Sequence, residues 1–196
     1  MVPVNIPNAL TMLRIVAVPV IVVALLEETP NGDVIAAAVF ALAAVTDGLD
    51  GYIARRRRQI TTFGKLMDPL ADKLLVVAAL VALVSLDRLA AWVAMVIIAR
   101  ELAVTGLRAV AAERGVVISA SWLGKLKTAV QVAAIVALIV WEPAPLAVDL
   151  LVYAAVAVTV ISGADYFVRL RDHIDDGPTN AGAPSSVPDR REPERV

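Results

Sequence analysis

Four aspartates at close spacing are the residues of this chain whose types and positions best suit chemistry. Asp47 and Asp50 are three positions apart, and Asp68 and Asp72 are four positions apart. Either spacing places two side chains on one face of an α-helix. Clustered carboxylates repel one another unless they share protons or bind cations. Because oxygen-only ligands favour Mg²⁺, Mn²⁺ or Ca²⁺ over zinc, the four aspartates predict a divalent-metal site.

Two glycines, Gly51 and Gly64, lie among these aspartates. Since glycine has no Cβ atom, each lets a nucleotide or a neighbouring backbone approach closely. Paired metals held by carboxylates support displacement at phosphorus, so this stretch favours phosphoryl-group chemistry. The alternative interpretation is that the aspartates are capping and surface charges at helix ends, which leaves their spacing unexplained.

The composition indicates a membrane protein. The chain has 196 residues, of which 59% are hydrophobic, and its mean hydropathy is +0.77. Several apolar runs approach the roughly 20 residues that cross a bilayer as a helix. The chain has no cysteine, which excludes disulfides and thiolate metal sites. Met1–Pro7 lacks a basic segment, so we expect the first apolar run to be retained rather than cleaved.

The apolar runs predict an all-α fold. We expect a polytopic membrane protein whose six transmembrane helices form a bundle, preceded by a short N-terminal interfacial segment. The predicted spans are Ala9–Leu26, Val34–Ala54, Gly64–Leu86, Leu89–Ala112, Trp122–Trp141 and Leu146–Phe167. Residues 1–171 therefore form one membrane domain. Residues 172–196 are rich in proline and charged side chains and predict a disordered cytoplasmic tail.

Charged residues between the spans orient the predicted bundle. Basic residues collect on one side: Arg55–Arg58, Lys125, Lys127, Arg169 and Arg171. Acidic residues fall mostly on the other side: Glu27, Glu28, Asp33, Asp87, Glu142 and Asp149. Because lysine and arginine mark the cytoplasmic side of a membrane protein, both termini and the four aspartates are expected to face the cytoplasm. Nucleotides and divalent cations are available there.

The aspartates belong to a longer pattern, Asp47-x2-Asp50-Gly51-x2-Ala54-Arg55-x8-Gly64-x3-Asp68-x3-Asp72. At every defined position it resembles the signature of the CDP-alcohol phosphatidyltransferase family, and the six-span layout extends the resemblance over most of the chain. The resemblance implies a homodimeric, multi-pass enzyme of the bacterial plasma membrane. It also implies that Asp47, Asp50 and Asp68 bind metals, two Mg²⁺ or Mn²⁺ ions. Asp72 is then the catalytic base and lies near the second metal.

The same resemblance implies a donor site for CDP-diacylglycerol. The residues at the corresponding positions are Asp50, Gly51, Ala54, Arg55 and Gly64. The small side chain of Ala54 leaves room for the cytidine, and Arg55 is a candidate for binding the diphosphate. The alternative for Arg55 is a membrane-anchoring role, which is also the role expected for Arg56–Arg58.

Three further stretches, NIPNALTMLR, IIARELAVTGLR and SWLGKLKTAVQ, are similar to bacterial phosphatidylglycerophosphate synthases within that family. This similarity implies glycerol 3-phosphate as the acceptor, with CMP and phosphatidylglycerol phosphate as products. A phosphate dianion needs a cationic pocket. The candidates for it are Arg100, Arg108, Lys125 and Lys127. The alternatives are structural ion pairing for the arginines, as between Arg100 and Glu101 or a motif aspartate, and cytoplasmic anchoring for the lysines.

Other functions stay open on the sequence alone. An inositol phosphate, or phosphatidylglycerol in cardiolipin synthesis, fits the aspartate pattern equally well as acceptor, because that pattern serves the shared donor. A cation transporter or channel would use the carboxylates as an ion path. A non-catalytic membrane scaffold would leave them unexplained. We expect lipid and small-molecule partners and no nucleic acid.

Overall fold

Six α-helices make up the described part of the chain, which contains no strand. The structure is a computed structural model that describes the backbone of residues 6–27, 30–57, 62–113 and 122–175. Within these ranges, side chains are described for residues 11–27, 30–46, 71, 73–113 and 122–171. The helices are α1 Ile6–Leu26, α2 Gly32–Arg57, α3 Thr62–Ser85, α4 Ala91–Glu113, α5 Trp122–Val140 and α6 Leu146–Asp175. The prediction of an all-α fold with six helices is confirmed.

The helices pack around a core of small and branched apolar side chains. α1 packs against both α2 and α3, α5 packs against α2, α3 and α6, and α4 packs against α3 and α6. The largest fully buried apolar side chains are Ile21, Phe40, Leu80, Leu83, Ile135 and Ile139. Many alanines are buried between them, and small residues let helix backbones approach closely.

One end of the bundle is held by Arg88, which lies in the turn between α3 and α4. Its Nη1 donates to Asp33 Oδ1 over 2.9 Å and to the Ile139 carbonyl over 3.3 Å, and its Nε forms an ion pair with Glu142. These contacts bring together the start of α2, the end of α3 and the end of α5. Since a helix rises about 1.5 Å per residue, the end of α2 and the start of α3 lie at the opposite end.

The outer surface of the bundle is apolar. Every helix exposes large apolar side chains, for example Leu13, Leu42, Val81, Met95, Trp122 and Leu146. A broad apolar surface is typical of membrane or protein contact. Among the described residues, two helices are long and apolar enough to cross a membrane, Trp122–Val140 and Leu146–Arg171. Three shorter apolar stretches are Thr11–Leu26, Gly32–Thr46 and Lys73–Ser85. The six-span arrangement therefore stays a prediction.

Two helices continue beyond the predicted apolar spans. α2 runs to Arg57 and α6 to Asp175, whereas hydropathy placed the ends at Ala54 and Phe167. Arginine is a good helix former, so the helix does not end where the apolar run does. Arg169 supports the added turns because its Nε lies 3.0 Å from Asp165 Oδ1, one turn earlier. Residues 58–61, 114–121 and 176–196 lie outside the described residues, and the predicted tail and domain division stay predictions.

Replacing Arg88 by methionine should destabilise the bundle. The change removes a charged donor from two carboxylates and a carbonyl, and hydrogen bonds to charged groups each contribute about 1.5–3 kcal/mol. Both carboxylates are partly exposed, so we expect a net loss of about 1–2 kcal/mol. Thermal unfolding of the detergent-solubilised protein measures it. Asp87→Asn, in the same turn, is the control, because asparagine tolerates the positive φ of 58° found there. Equal unfolding temperatures for both variants would contradict the assignment.

Candidate active site

The four aspartates of the motif lie on two helices, Asp47 and Asp50 on α2 and Asp68 and Asp72 on α3. Their side chains lie outside the described residues. The same holds for the remaining predicted donor-site residues, Gly51, Ala54, Arg55 and Gly64. Among the side chains that are described, no group of three or more His, Asp or Glu residues could hold a metal ion. The metal and donor sites therefore stay predictions that rest on the sequence.

Side chains are described for three residues directly beside the aspartates in the sequence: Thr46, Ala71 and Lys73. Ala71 is buried, and Lys73, directly after Asp72, has a side chain that is 23% exposed. α1 packs against both aspartate-bearing helices and buries Thr11 and Arg14. A buried guanidinium group is stable only where acceptors surround it.

A cavity of about 570 Å³ opens between α2, α3, α4 and α5. All four residues predicted to bind the acceptor phosphate line it: Arg100, Arg108, Lys125 and Lys127. Their neighbours in the wall include Lys73, Glu101, Thr105 and Thr128. The fold thus brings together cations that are up to 27 positions apart in the sequence and come from two helices.

The charge of this cavity is set around one carboxylate, that of Glu101, which is 5% exposed. Lys73 Nζ lies 3.1 Å from its Oε2, and Lys127 Nζ donates to its Oε1. Arg100 Nη1 lies 3.5 Å from Oε1. Among the described lining residues, one anion therefore faces three cations, and Lys125 and Arg108 add two more. The excess of positive charge among these residues suits an anionic ligand.

The described geometry refines the alternatives left by the sequence. Arg100 does pair with Glu101, but the two lysines are the closer partners of that carboxylate. Lys127 is 6% exposed, so it is a buried ion-pair partner rather than a surface anchor. Lys125 is exposed. The guanidinium of Arg108 lies over the ring of Tyr166, with Cζ 5.5 Å from the ring centroid.

Sequence reasoning missed Lys73 as part of this cluster and considered Glu101 only as a partner of Arg100. A signal for Lys73 was present, because it is a charged residue at the start of a long apolar run, and such charges mark functional sites. The sequence carries no signal that Lys73, Glu101 and Lys127 meet, since they belong to three different helices.

The cavity adjoins the aspartate-bearing segments of both helices. On α2, Ala44 and Val45 line it, and Asp47 follows within one helical turn. On α3, Lys73 lines it, and its Cα is about 3.8 Å from that of Asp72 across the peptide bond. A cationic pocket and a carboxylate motif are thus neighbours, an arrangement suited to bringing a phosphate-bearing molecule to a metal-dependent centre.

Comparison with known protein families identifies the family of this chain. The sequence model described as CDP-alcohol phosphatidyltransferase matches residues 4–161, which include the aspartate motif and every described residue of the cavity lining. The chain belongs to the CDP-alcohol phosphatidyltransferase family. The family resemblance predicted from the motif is confirmed, and the matched region reaches from α1 into α6.

Several relatives within the CDP-alcohol phosphatidyltransferase family are similar along nearly their whole length. A Bacillus subtilis (strain 168) protein named "CDP-diacylglycerol--glycerol-3-phosphate 3-phosphatidyltransferase" is 43% identical over 182 residues, 84% of this chain and 94% of the relative. A Haemophilus influenzae protein of the same name is 38% identical over 170 residues, 83% of this chain and 91% of the relative. A Mycobacterium tuberculosis (strain CDC 1551 / Oshkosh) protein named "Probable phosphatidylglycerophosphate synthase" is 46% identical over 174 residues, 86% of this chain and 83% of the relative.

Replacing Glu101 by glutamine should destabilise the protein strongly. The change leaves Lys73, Lys127 and Arg100 close together without their shared anion, and removing one partner of a buried ion pair costs about 3–5 kcal/mol. Thermal unfolding of the purified protein measures the loss. Glu113→Gln, an exposed glutamate on the same helix, is the matched control.

A double variant isolates the charge interaction. Adding Lys127→Gln to Glu101→Gln removes one of the uncompensated cations, so part of the lost stability should return. If Glu101→Gln unfolds at the same temperature as Glu113→Gln, the buried cluster does not form as described.

Proposed function

We propose that this chain transfers the phosphatidyl group of CDP-diacylglycerol to glycerol 3-phosphate, giving phosphatidylglycerol phosphate and CMP. The family and the names of its relatives support the donor and the acceptor. The observation from the structure that carries the proposal is the cationic cavity beside the aspartate-bearing segments. The acceptor hydroxyl oxygen bonds to the phosphorus that bears the lipid, and the bond from that phosphorus to the CMP oxygen breaks.

The acceptor phosphate belongs in the cavity. Its volume of about 570 Å³ lies within the roughly 300–1,000 Å³ usual for small-molecule sites. Arg100 and Arg108 offer planar guanidinium groups, which bind phosphate oxygens in pairs. Lys125 and Lys127 add two ammonium groups, and Lys73 a third. In this proposal the cations hold the phosphate, and the free hydroxyls of the acceptor extend towards the part of α3 that carries Asp72.

The aspartates supply the donor and metal side of the site. Two Mg²⁺ or Mn²⁺ ions are assigned to Asp47, Asp50 and Asp68, with Asp72 near the second. This donor set consists of oxygens, as those ions require. Both helices are continuous through all four positions, which keeps each pair on one helical face. When bound, the metals neutralise the pyrophosphate and stabilise the leaving CMP.

Four further residues complete the proposed donor site, in which Asp50 also takes part. Gly51 and Gly64 leave space for the nucleotide because they lack a Cβ atom. Ala54 leaves room for the cytidine, and Arg55 contacts the diphosphate. All lie on the same two helices as the metal-binding aspartates. A donor bound there and an acceptor bound in the cavity would be held side by side, and such positioning accounts for much of enzymatic rate acceleration.

Asp72 takes the proton of the attacking hydroxyl in this proposal. A positioned carboxylate acting as general base accelerates a reaction by about 10²–10⁴-fold. Its neighbour Lys73 is bound to Glu101 in the cavity wall. The base and the acceptor pocket are therefore adjacent along α3, and a shift of one would be expected to displace the other.

We place the enzyme in the plasma membrane of a bacterium as a multi-pass homodimer whose site faces the cytoplasm. The exposed apolar side chains on all six helices and the two helices of membrane-spanning length support the membrane location. The acidic residues Asp33 and Glu142 meet at one end of the bundle, as expected for the side opposite the aspartate motif. A lipid donor could then enter the site sideways from the leaflet.

Replacing Asp72 by asparagine should reduce CMP release by about 10²–10⁴-fold, because the amide cannot accept the proton. The measurement is CMP release by purified protein from CDP-diacylglycerol and glycerol 3-phosphate. Asp87→Asn, at the opposite end of the bundle, is the control and should keep wild-type activity.

The same assay tests the metal assignment. Removal of divalent ions with a chelator should abolish CMP release, and Mg²⁺ or Mn²⁺ should restore it. Full activity of the Asp72→Asn variant would exclude Asp72 as the general base. Activity that survives complete chelation would exclude a requirement for divalent metals.

A further inference from the structure

α6 contributes no described residue to the wall of the cavity, yet it contacts both of its arginines. The Nη2 atom of Arg100 donates to Ser162 Oγ over 2.5 Å, and Ser162 is only 2% exposed. This hydroxyl therefore holds one end of the guanidinium, although it belongs to a helix with no described residue in the cavity wall. The contact joins residues 62 positions apart in the sequence.

Gly163 lies against the stem of the same arginine. A Cβ atom built on Gly163 would lie 3.2 Å from Arg100 Cγ and 3.6 Å from its Nε. The first distance is tighter than normal packing, so any larger residue here would push the arginine side chain away. The glycine thus leaves the space in which the stem of Arg100 runs, between α4 and α6.

Tyr166, one turn further along α6, contacts the other arginine of the cavity, Arg108. The Cζ atom of Arg108 lies 5.5 Å from the centroid of the Tyr166 ring, within the range of a cation–π contact. The ring is 7% exposed and is fixed by apolar packing against Val104, Leu107 and Ala111 of α4. Because the ring cannot move freely, it limits the positions open to an otherwise exposed arginine.

We propose that α6 is the positioning element of the acceptor pocket, with Ser162 and Gly163 orienting Arg100 and Tyr166 orienting Arg108. The inference rests on the proposed function, in which these arginines bind the phosphate of glycerol 3-phosphate. A long side chain held in its bound conformation loses less freedom when the ligand arrives, so preorganisation raises affinity. The three residues act through the arginines and do not touch the substrate. Their loss should weaken acceptor binding and leave donor binding unchanged.

The test is steady-state CMP release, with KM for glycerol 3-phosphate and for CDP-diacylglycerol measured separately. Ser162→Ala removes a hydrogen bond to a charged group, which predicts a rise of roughly tenfold or more in the acceptor KM. Gly163→Ala and Tyr166→Leu should raise it severalfold. The KM for CDP-diacylglycerol should stay within twofold of wild type for all three variants.

The chain offers a matched control for each variant. Ser85→Ala also removes a serine hydrogen bond, to the Ala82 carbonyl, but at the far end of α3. Gly106→Ala adds a methyl group on α4 where nothing lies within 4 Å. Tyr166→Phe keeps the ring and loses only the hydroxyl. All three should keep the wild-type acceptor KM.

Arg100→Gln separates this inference from the proposed function. If Arg100→Gln leaves the acceptor KM unchanged, the proposed role of Arg100 fails. If Arg100→Gln raises the acceptor KM, adding Ser162→Ala to that variant should not raise the acceptor KM further, because the serine acts through the arginine. An effect of Ser162→Ala that persists in the Arg100→Gln background would overturn the inference. The inference would also be overturned if Ser162→Ala and Gly163→Ala had the same acceptor KM as their controls. Equal rises in the KM for glycerol 3-phosphate and the KM for CDP-diacylglycerol would overturn it as well.

Discussion

The buried carboxylate of Glu101 and the three cations around it are the interaction on which the rest of this structure depends. Lys73 comes from α3, Lys127 from α5, and Arg100 and Glu101 from α4. Burying each of these charges costs several kcal/mol unless its partners are in place. The cluster is therefore stable only when three helices adopt one arrangement, and that arrangement creates the cavity between them.

The position of this cluster links the helices that carry the donor and metal residues of the proposed site to those that carry its acceptor cations. Its Lys73 follows Asp72, so the helix that carries the proposed base is also bound to the acceptor side of the site. In the proposed mechanism, α2 and α3 carry the donor and metal residues, whereas α4 and α5 carry the cations that bind the acceptor. α6 contacts the two arginines and, as proposed above, restricts their positions. The contacts of Arg88 with Asp33 and Glu142 lie at the opposite end of the bundle.

Much of the fold follows from the sequence, because long apolar runs separated by short charged turns predict helices directly. The ends of α2 and α6 did not follow, since charged residues such as Arg57 and Arg169 continue a helix beyond its apolar part. The four cations predicted to bind the acceptor were chosen from residue type and resemblance, and the structure brings them to one cavity. The contacts of Lys73 and Ser162 were not predictable, because they depend on how distant helices face one another.

The central claim is that the cationic cavity selects glycerol 3-phosphate as the acceptor of the phosphatidyl group. It is tested most directly by CMP release from CDP-diacylglycerol by the purified protein with Mg²⁺, offering glycerol 3-phosphate, an inositol phosphate or phosphatidylglycerol one at a time. We predict release with glycerol 3-phosphate alone. Release with an inositol phosphate or phosphatidylglycerol instead would contradict the acceptor assignment, and no release with any acceptor would contradict the account as a whole.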